Sequence, residues 1–378
     1  MDYLFLAWMV AYALLMLLFA LWQRGTGIGG GNGFTGDSAV DVIIPHRNER
    51  DALPALLECL RLQEGAGSFR ILLVDDHSED GGGTLADAAA AQWEAGRLLS
   101  LHLGAGASGK KAALALGLQH SRAELVLFTD ADVQLPPAWV AVYRQAFGAH
   151  PGVVLWCGPV RVGPGRGFWG ALQYLEYGAL MLAAQASLSL GWPLLASGAS
   201  MGIRRAAFVR LGPDPWKAGL SSGDDVYLLY NVWEKYGRGS AAFLWNPRVL
   251  VATGAEPGLE ELLRQRARWA GKTLRMKGMG PRLTGGLTTG ANLFPGLAAL
   301  ALTGGWISGA TLLIGIGIKV LADLGLALAW ARFTRLWRQI WLAPLVSLIY
   351  PVVLLAVALA AFSKNTTWKG RKINKSID

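Results

Sequence analysis

Apolar residues are spread unevenly along this chain: long runs open and close it, and the stretch between them alternates as a folded α/β domain does. The first run, Tyr3 to Trp22, is about 20 residues, enough to cross a ~30 Å hydrocarbon layer as a helix. A second apolar region, Leu287 to Ala331, has room for two crossings, and a third candidate spans Ile340 to Phe362. Its weakest part is Leu287 to Thr303, where Asn292 and Pro295 interrupt the run and suit a re-entrant or interfacial segment. Three or four crossings are expected in total.

Between the runs, short apolar stretches rich in β-branched residues predict strands at Val40 to Ile44, Phe69 to Val74 and Leu125 to Thr129. Helical spacing predicts helices over Leu53 to Leu62 and Lys110 to His120. Strand alternating with helix implies a mostly parallel sheet, whose ligands bind beyond the carboxyl ends of the strands. Polar clusters stand at those ends: Pro45-His46-Arg47-Asn48-Glu49, Asp75-Asp76-His77-Ser78 and Asp130-Ala131-Asp132.

Composition agrees with a protein partly in lipid: 53% of residues are hydrophobic, 16% are charged, and the mean hydropathy is +0.34. The net charge of +9 asks for an anionic partner. Many basic residues flank apolar runs, Arg264, Arg266, Arg268, Lys272, Arg275 and Lys277 before one, and Arg332, Arg335 and Arg338 between two others. That placement suits anionic lipid headgroups and argues against nucleic acid. Met1-Asp2 is a poor start for a signal peptide, and Arg24 after the first run places the amino terminus outside and the following domain in the cytoplasm. Three crossings after the domain would leave Lys364, Lys369, Arg371, Lys372 and Lys375 outside, against the same tendency, which keeps a count with one segment not crossing beside the full count. Cys59 and Cys157, with no second Cys or His at metal spacing, read as buried thiols.

Asp130 and Asp132 follow a buried strand with one small residue between them. Two acids that close repel unless a cation joins them, and oxygen ligands suit Mg²⁺ or Mn²⁺ held jointly with substrate phosphates. An isolated D-x-D is more often a pair of solvated turn acids; the acids at other strand ends tip the balance. Asp75-Asp76 has two readings, an acceptor for a base or ribose and a helix cap. Gly109-Lys110-Lys111 opens a helix and suits a phosphate, although no G-x-x-x-x-G-K-[ST] pattern is present.

Taken in order, V-D-V-I-I-P-H-R-N-E (Val40 to Glu49), L-L-V-D-D-H-S-E-D (Leu72 to Asp80), G-K-K-A-A-L (Gly109 to Leu114), T-D-A-D (Thr129 to Asp132), S-G-A-S-M-G (Ser197 to Gly202), G-D-D-V-Y-L (Gly223 to Leu228) and Q-R-A-R-W (Gln265 to Trp269) resemble the family 2 glycosyltransferases. The resemblance implies a GT-A type α/β nucleotide-sugar-binding domain and an inverting reaction. It implies that Pro45, Arg47, Asn48, Glu49 and Asp75 or Asp76 hold the nucleoside and Lys110 the uracil or phosphate region. Asp130 and Asp132 would then hold the diphosphate and its Mg²⁺ or Mn²⁺, with Asp225, beside Asp224, as base. Gln265 and Arg268 would face the leaving phosphates, and Trp269 and the Gly198-Ala199-Ser200 loop the acceptor. In the Q-x-x-R-W motif, Gln265, Arg268 and Trp269 share one helix face, which also fits an amphipathic interface helix. His46, Asp224 and Ala115 depart from the family's usual residues and leave the donor open; a UDP-sugar is expected.

The organisation implied is a membrane anchor over 1–24, a flexible glycine-rich linker over 25–37, a catalytic domain over 38–282 with interfacial helices near 174–195 and 260–280, a membrane block of two or three helices over 283–363, and a basic tail over 364–378. A hydroxyl acceptor needs a general base whereas a phosphate does not, so G-D-D with Q-x-x-R-W favours a hydroxyl. The short membrane block resembles ceramide glucosyltransferases and related lipid glycosyltransferases, which implies sugar transfer onto a membrane lipid by an integral protein of the inner membrane. A processive polysaccharide synthase and a catalytically inactive membrane scaffold are the alternatives.

Overall fold

The computed structural model describes residues 1–23, 38–163, 165, 167–216, 223–273, 278–362, 367–368 and 371–372. The expected linker over 25–37, Arg275, Lys277 and most of the tail lie outside them. The chain divides into two compact units, one of Arg24–Arg161, Leu195–Gly254 and Thr367–Asp378, the other of Met1–Gln23, Val162–Leu194 and Ala255–Thr366.

The first unit is built on β1 (Val40–His46), β2 (Phe69–Asp75), β3 (Leu98–His102), β4 (Leu125–Phe128), β5 (Val133–Gln134), β6 (Leu155–Cys157), β7 (Val160–Val162), β8 (Met201–Arg204), β9 (Ala241–Phe243) and β10 (Val251–Thr253). Seven of these form one sheet in the order β3-β2-β1-β4-β8-β6-β9, and β5-β10-β7 form a smaller one. The pairs β3 with β2, β2 with β1, and β1 with β4 are parallel, as the strand and helix alternation predicts. Strand β8 runs antiparallel to both neighbours, β4 and β6. This reversal delivers the amino end of β8, and so the S-G-A-S loop, to the same edge as the carboxyl end of β4.

Every residue of β1 is buried, as expected of a central strand covered on both faces. The helices of this unit are α2 (Leu53–Arg61), α3 (Gly82–Gln92), α4 (Lys110–His120), α5 (Trp139–Ala149), α7 (Arg205–Arg210) and α8 (Asp224–Tyr236). Trp139, Tyr143 and Phe147 of α5 are fully buried and form much of the core. At the amino end of β1, away from the polar loops, Asp41 is buried and accepts two bonds from Arg70 at 2.8 and 2.7 Å. It also accepts from Ser121 Oγ at 2.7 Å and from the Arg122 and Ala123 backbone. Cys157 is buried as expected, and burial pushes its thiol above the ordinary range. Cys59 is only half-buried, contrary to expectation, because it lies at the edge of the apolar stripe that Leu53, Leu56, Leu57 and Leu60 turn inward.

The second unit holds α1 (Asp2–Leu21), α6 (Gly167–Leu190), α9 (Leu259–Thr273), α10 (Met279–Thr303), α11 (Gly309–Thr334) and α12 (Ala343–Phe362). Among the described residues three helical spans are long and apolar enough to cross a membrane: Asp2–Leu21, Gly309–Thr334 and Arg338–Ala361. Helix α10, with Pro295 inside it, is not among them. Helix α6, for which docking on the bilayer and burial are both open from the sequence, is buried along most of its length and packs on α1, α11 and α12. Gly178 of α6 lies against the Trp330 ring and Gly315 of α11 against Phe5, close approaches that a Cβ would block. Arg266 is likewise 5% exposed rather than turned to headgroups, because its Nε donates to Glu176 at 2.8 Å.

Candidate active site

The loops after β1 and β2 are stapled to each other. Arg47, buried, donates through Nη1 to the carbonyls of Asp76 and His77 at 2.6 and 2.8 Å and through Nη2 to Glu79 at 3.0 Å. Asn48, held at φ 52°, accepts at Oδ1 from the Glu79 N–H at 2.8 Å, and its own N–H donates to Ser78 Oγ at 3.0 Å. Pro45 is buried in β1, and the Glu49 carbonyl accepts from the Ala52 and Leu53 N–H groups where α2 begins. These residues, expected on the nucleoside, thus build the shape of the strand-end cleft.

Asp75 and Asp76 part company. Asp75 is buried and accepts from the Ser78 N–H at 3.2 Å, with His46 Nδ1 at 3.4 Å and His102 Nδ1 at 3.6 Å. His102 Nε2 meets Asp87 at 2.8 Å; that hydrogen bond outweighs desolvation and raises the imidazole pKa above its ordinary value. Asp76 accepts at Oδ2 from the Gly109 N–H at 2.9 Å, tying the second loop to the start of α4. Both side chains thus make loop hydrogen bonds, Asp75 within its own turn and Asp76 to the residue before α4.

Helix α4 begins at Lys110, after Gly109 at φ 95°. Lys110 Nζ lies 2.6 Å from Asp130 Oδ1 and 3.4 Å from Asp224 Oδ2. Burial disfavours the ammonium, but Asp130, Asp224 and Asp225 outweigh it and hold the lysine pKa above its ordinary value. Asp224 and Asp225 open α8 behind Gly223, which takes a left-handed conformation. Asp225 is partly exposed; Oδ1 accepts from the Val226 N–H at 2.8 Å and Oδ2 from the Gly198 N–H at 3.3 Å. Asp132 is exposed in the turn before β5.

The S-G-A-S loop covers this cluster. A Cβ on Gly198 would stand 3.1 Å from Lys110 Nζ and 3.4 Å from Asp224 Oδ2, so the backbone approaches where only glycine leaves room. Ala199 and Ser200, expected on the acceptor side, point into the core. The Ala199 carbonyl accepts from Thr129 Oγ1 at 2.9 Å, and Ser200 Oγ lies 3.1 Å from Trp139 Nε1 and 3.0 Å from the Tyr143 hydroxyl. These bonds fix the loop.

Sequence reasoning missed Trp216, which lines the site with Phe128 and Leu228 and stands edge-on to Phe128 at 6.3 Å. Trp216 also walls a cavity of about 430 Å³ together with Lys111, Leu118, Arg205 and Phe208. Only the Pro215-Trp216 pair in a polar stretch hinted at it.

In the second unit, Gln265, Arg268 and Trp269 lie on α9 as expected. Gln265 Nε2 donates to Glu256 at 2.5 Å, and Trp269 lies under the Arg266 guanidinium at 4.3 Å and edge-on to Tyr177 at 5.8 Å. Arg268 is half-buried, and burial lowers its pKa.

Residues 41–212 match the family model described as Glycosyl transferase family 2. A curated relative, the undecaprenyl-phosphate 4-deoxy-4-formamido-L-arabinose transferase of Pseudomonas aeruginosa, is 39% identical over 103 residues, 26% of this chain and 29% of its own. The enzyme of the same name from Aeromonas hydrophila is 37% identical over 26% of this chain and 30% of its own. The chain thus spans less than a third of the length of the curated relatives it matches. Among solved structures, the mannosyltransferase PcManGT of Pyrobaculum calidifontis, in complex with GDP-Man and Mn²⁺, superposes with a TM-score of 0.61 at 18% identity, over 95% of this chain and 97% of the other. That likeness shows a shared GT-A-like fold.

Proposed function

From the premise that this chain carries a glycosyl transferase family 2 domain, we propose that it transfers a sugar from a nucleotide-diphosphate sugar to a membrane lipid, with inversion. The observation that carries the reading is the convergence of Lys110, Asp130, Asp224 and Asp225 at the strand ends, under the Gly198 backbone.

Inversion is one displacement at the anomeric carbon, which needs a base for the acceptor proton and counter-charge for the leaving diphosphate. Asp225 is suited to be the base: its carboxylate is oriented by two backbone N–H groups and is partly exposed. Its Oδ atoms would take the acceptor hydroxyl proton, while Lys110 supplies positive charge toward the leaving phosphates. The stapled loops of Arg47, Asn48 and Asp76 keep the donor cleft in shape.

The carboxylates of Asp130 and exposed Asp132 are hard oxygen donors that fit Mg²⁺ or Mn²⁺. An ion held by these two carboxylates would be completed by donor phosphates and water. Such an ion supplies charge neutralisation at the diphosphate. The Mn²⁺ named with PcManGT supports the same choice.

The three apolar spans support an integral membrane protein, for which we take the sheet domain as cytoplasmic and the inner membrane as its site. The acceptor reading is a lipid hydroxyl, because Asp225 is furnished as a base. A lipid phosphate is the second reading, favoured by the undecaprenyl-phosphate named in the curated relatives.

The test is transfer from radiolabelled UDP- and GDP-sugars to a total lipid extract. Asp225→Asn is expected to lower the rate by at least about 10² while donor binding persists; normal turnover would overturn the base. A labelled lipid that survives mild acid supports the hydroxyl acceptor, and an acid-labile one the phosphate.

A further inference from the structure

We propose that Lys110 is the resident counter-ion of the acid cluster and that it must leave Asp130 before a divalent cation can be held there, so that cation and nucleotide enter together. The inference rests on the reading of Asp130 and Asp132 as cation ligands.

Asp130 Oδ1 is already engaged by Lys110 Nζ at 2.6 Å. A divalent ion bonds to carboxylate oxygen at about 2.0–2.2 Å, so both cations on one oxygen would stand within a few ångströms of each other and repel strongly. The ammonium is the one able to move. It ends a flexible four-carbon stem rooted at the first residue of α4, and its side chain is 26% exposed. Asp224, at 3.4 Å, is the weaker anchor that remains to it, with Asp225 adding charge behind. A nucleoside diphosphate changes this balance by bringing anionic oxygens within reach of the Lys110 ammonium beside the start of α4. The lysine then exchanges a carboxylate for phosphate, and Asp130 is released to the metal. Without nucleotide, Lys110 competes with the cation. With nucleotide, the two assist each other.

The test is Mn²⁺ titration of the full chain in detergent, reading free Mn²⁺ by electron paramagnetic resonance, with and without UDP. Lys110→Met is expected to bind Mn²⁺ about tenfold more tightly than the wild type when UDP is absent, and Lys110→Arg to bind like the wild type. Lys110→Gln, which keeps a hydrogen-bond donor toward Asp130, serves should the methionine variant not fold, with the same expected tightening. Equal UDP-free affinity in wild type and the neutral variants, alongside Mn²⁺ binding that needs Asp132, overturns the exchange and leaves the metal site standing. No Mn²⁺ binding in any protein, with or without UDP, overturns both.

Discussion

Lys110 meets Asp130 at 2.6 Å at the end of a sheet, and Lys319 meets Asp323 at 2.7 Å inside the helical unit. The distances match, but the surroundings differ. The side chain of Lys110 is 26% exposed and shares its charge among several carboxylates. That of Lys319 is 4% exposed, and Nζ donates to Asp323 Oδ2, the Ser347 carbonyl at 2.9 Å and Ser347 Oγ at 3.1 Å. All three ammonium donors are used. Asp323 also accepts from the Tyr12 hydroxyl and from Ser347 Oγ at 2.5 Å. One pair can therefore be exchanged for a ligand. The other fastens α1, α11 and α12 to each other, where an unpaired charge would face hydrocarbon.

The largest effect should come from breaking the fastened pair. Lys319→Met alone removes the buried ammonium and leaves the half-buried Asp323 with only its hydroxyl partners Tyr12 and Ser347, and is expected to cost about 3–5 kcal/mol of stability in detergent unfolding. The double variant Lys319→Met with Asp323→Leu should recover most of it. The matching truncation at Lys110 should cost less, about 1 kcal/mol, since both members of its pair are partly exposed. Equal losses at the two lysines would erase the distinction drawn between them.

The two pairs also differ in how far they were legible in the sequence. Strands β1, β2 and β4 and helices α2 and α4 follow the apolar periodicity to within about two residues, because each is a regular element whose local pattern agrees with its burial. Asp130, Lys110 and Asp225 could be read because each stands where a regular element meets a loop. The short strands β6 and β9 could not, since three-residue runs carry no period. The reversal of β8 is a fact of topology, invisible locally, and it decides that Gly198 rather than Ser200 faces the cluster. Helix α6 looked interfacial because a helix apolar on most sides reads alike whether lipid or protein surrounds it. Lys319 and Asp323, four residues apart in an apolar run, carried a signal that was passed over: charges at that depth are rare unless paired.

An intermediate case sharpens the comparison. Asp41 is as buried as Lys319, but its partner Arg70 is one-third exposed. Burial alone would raise the carboxyl pKa; the bonds from Arg70 and Ser121 outweigh it and hold it below the ordinary value. A depressed carboxylate contributes stability that is present above its unfolded pKa, near 3.8, and is lost as pH falls through the folded value. Asp41→Asn should cost about 2–3 kcal/mol at neutral pH, less than Lys319→Met, and should flatten the acid limb of the stability profile below pH 4. Unchanged acid sensitivity in the variant would mean that the Arg70 bonds add nothing.

The smallest effect belongs to the most exposed pair, and its sign is opposite. His102 is about half exposed, and its raised pKa comes first from the hydrogen bond to Asp87, with Asp75 adding charge behind it. A raised imidazole pKa stabilises the fold fully below the unfolded value, near 6.5, and the contribution fades as pH rises through the folded value. Wild type should therefore lose a little stability as pH rises above 6.5 that His102→Gln does not lose, seen as a difference in Tm slope on that side. Because Asp75 also faces His46 and holds the Ser78 N–H, the loop that Arg47 staples should feel the same titration. Parallel slopes for wild type and His102→Gln would mean that solvent already screens the pair, leaving the loop geometry to the Arg47 and Asn48 bonds alone.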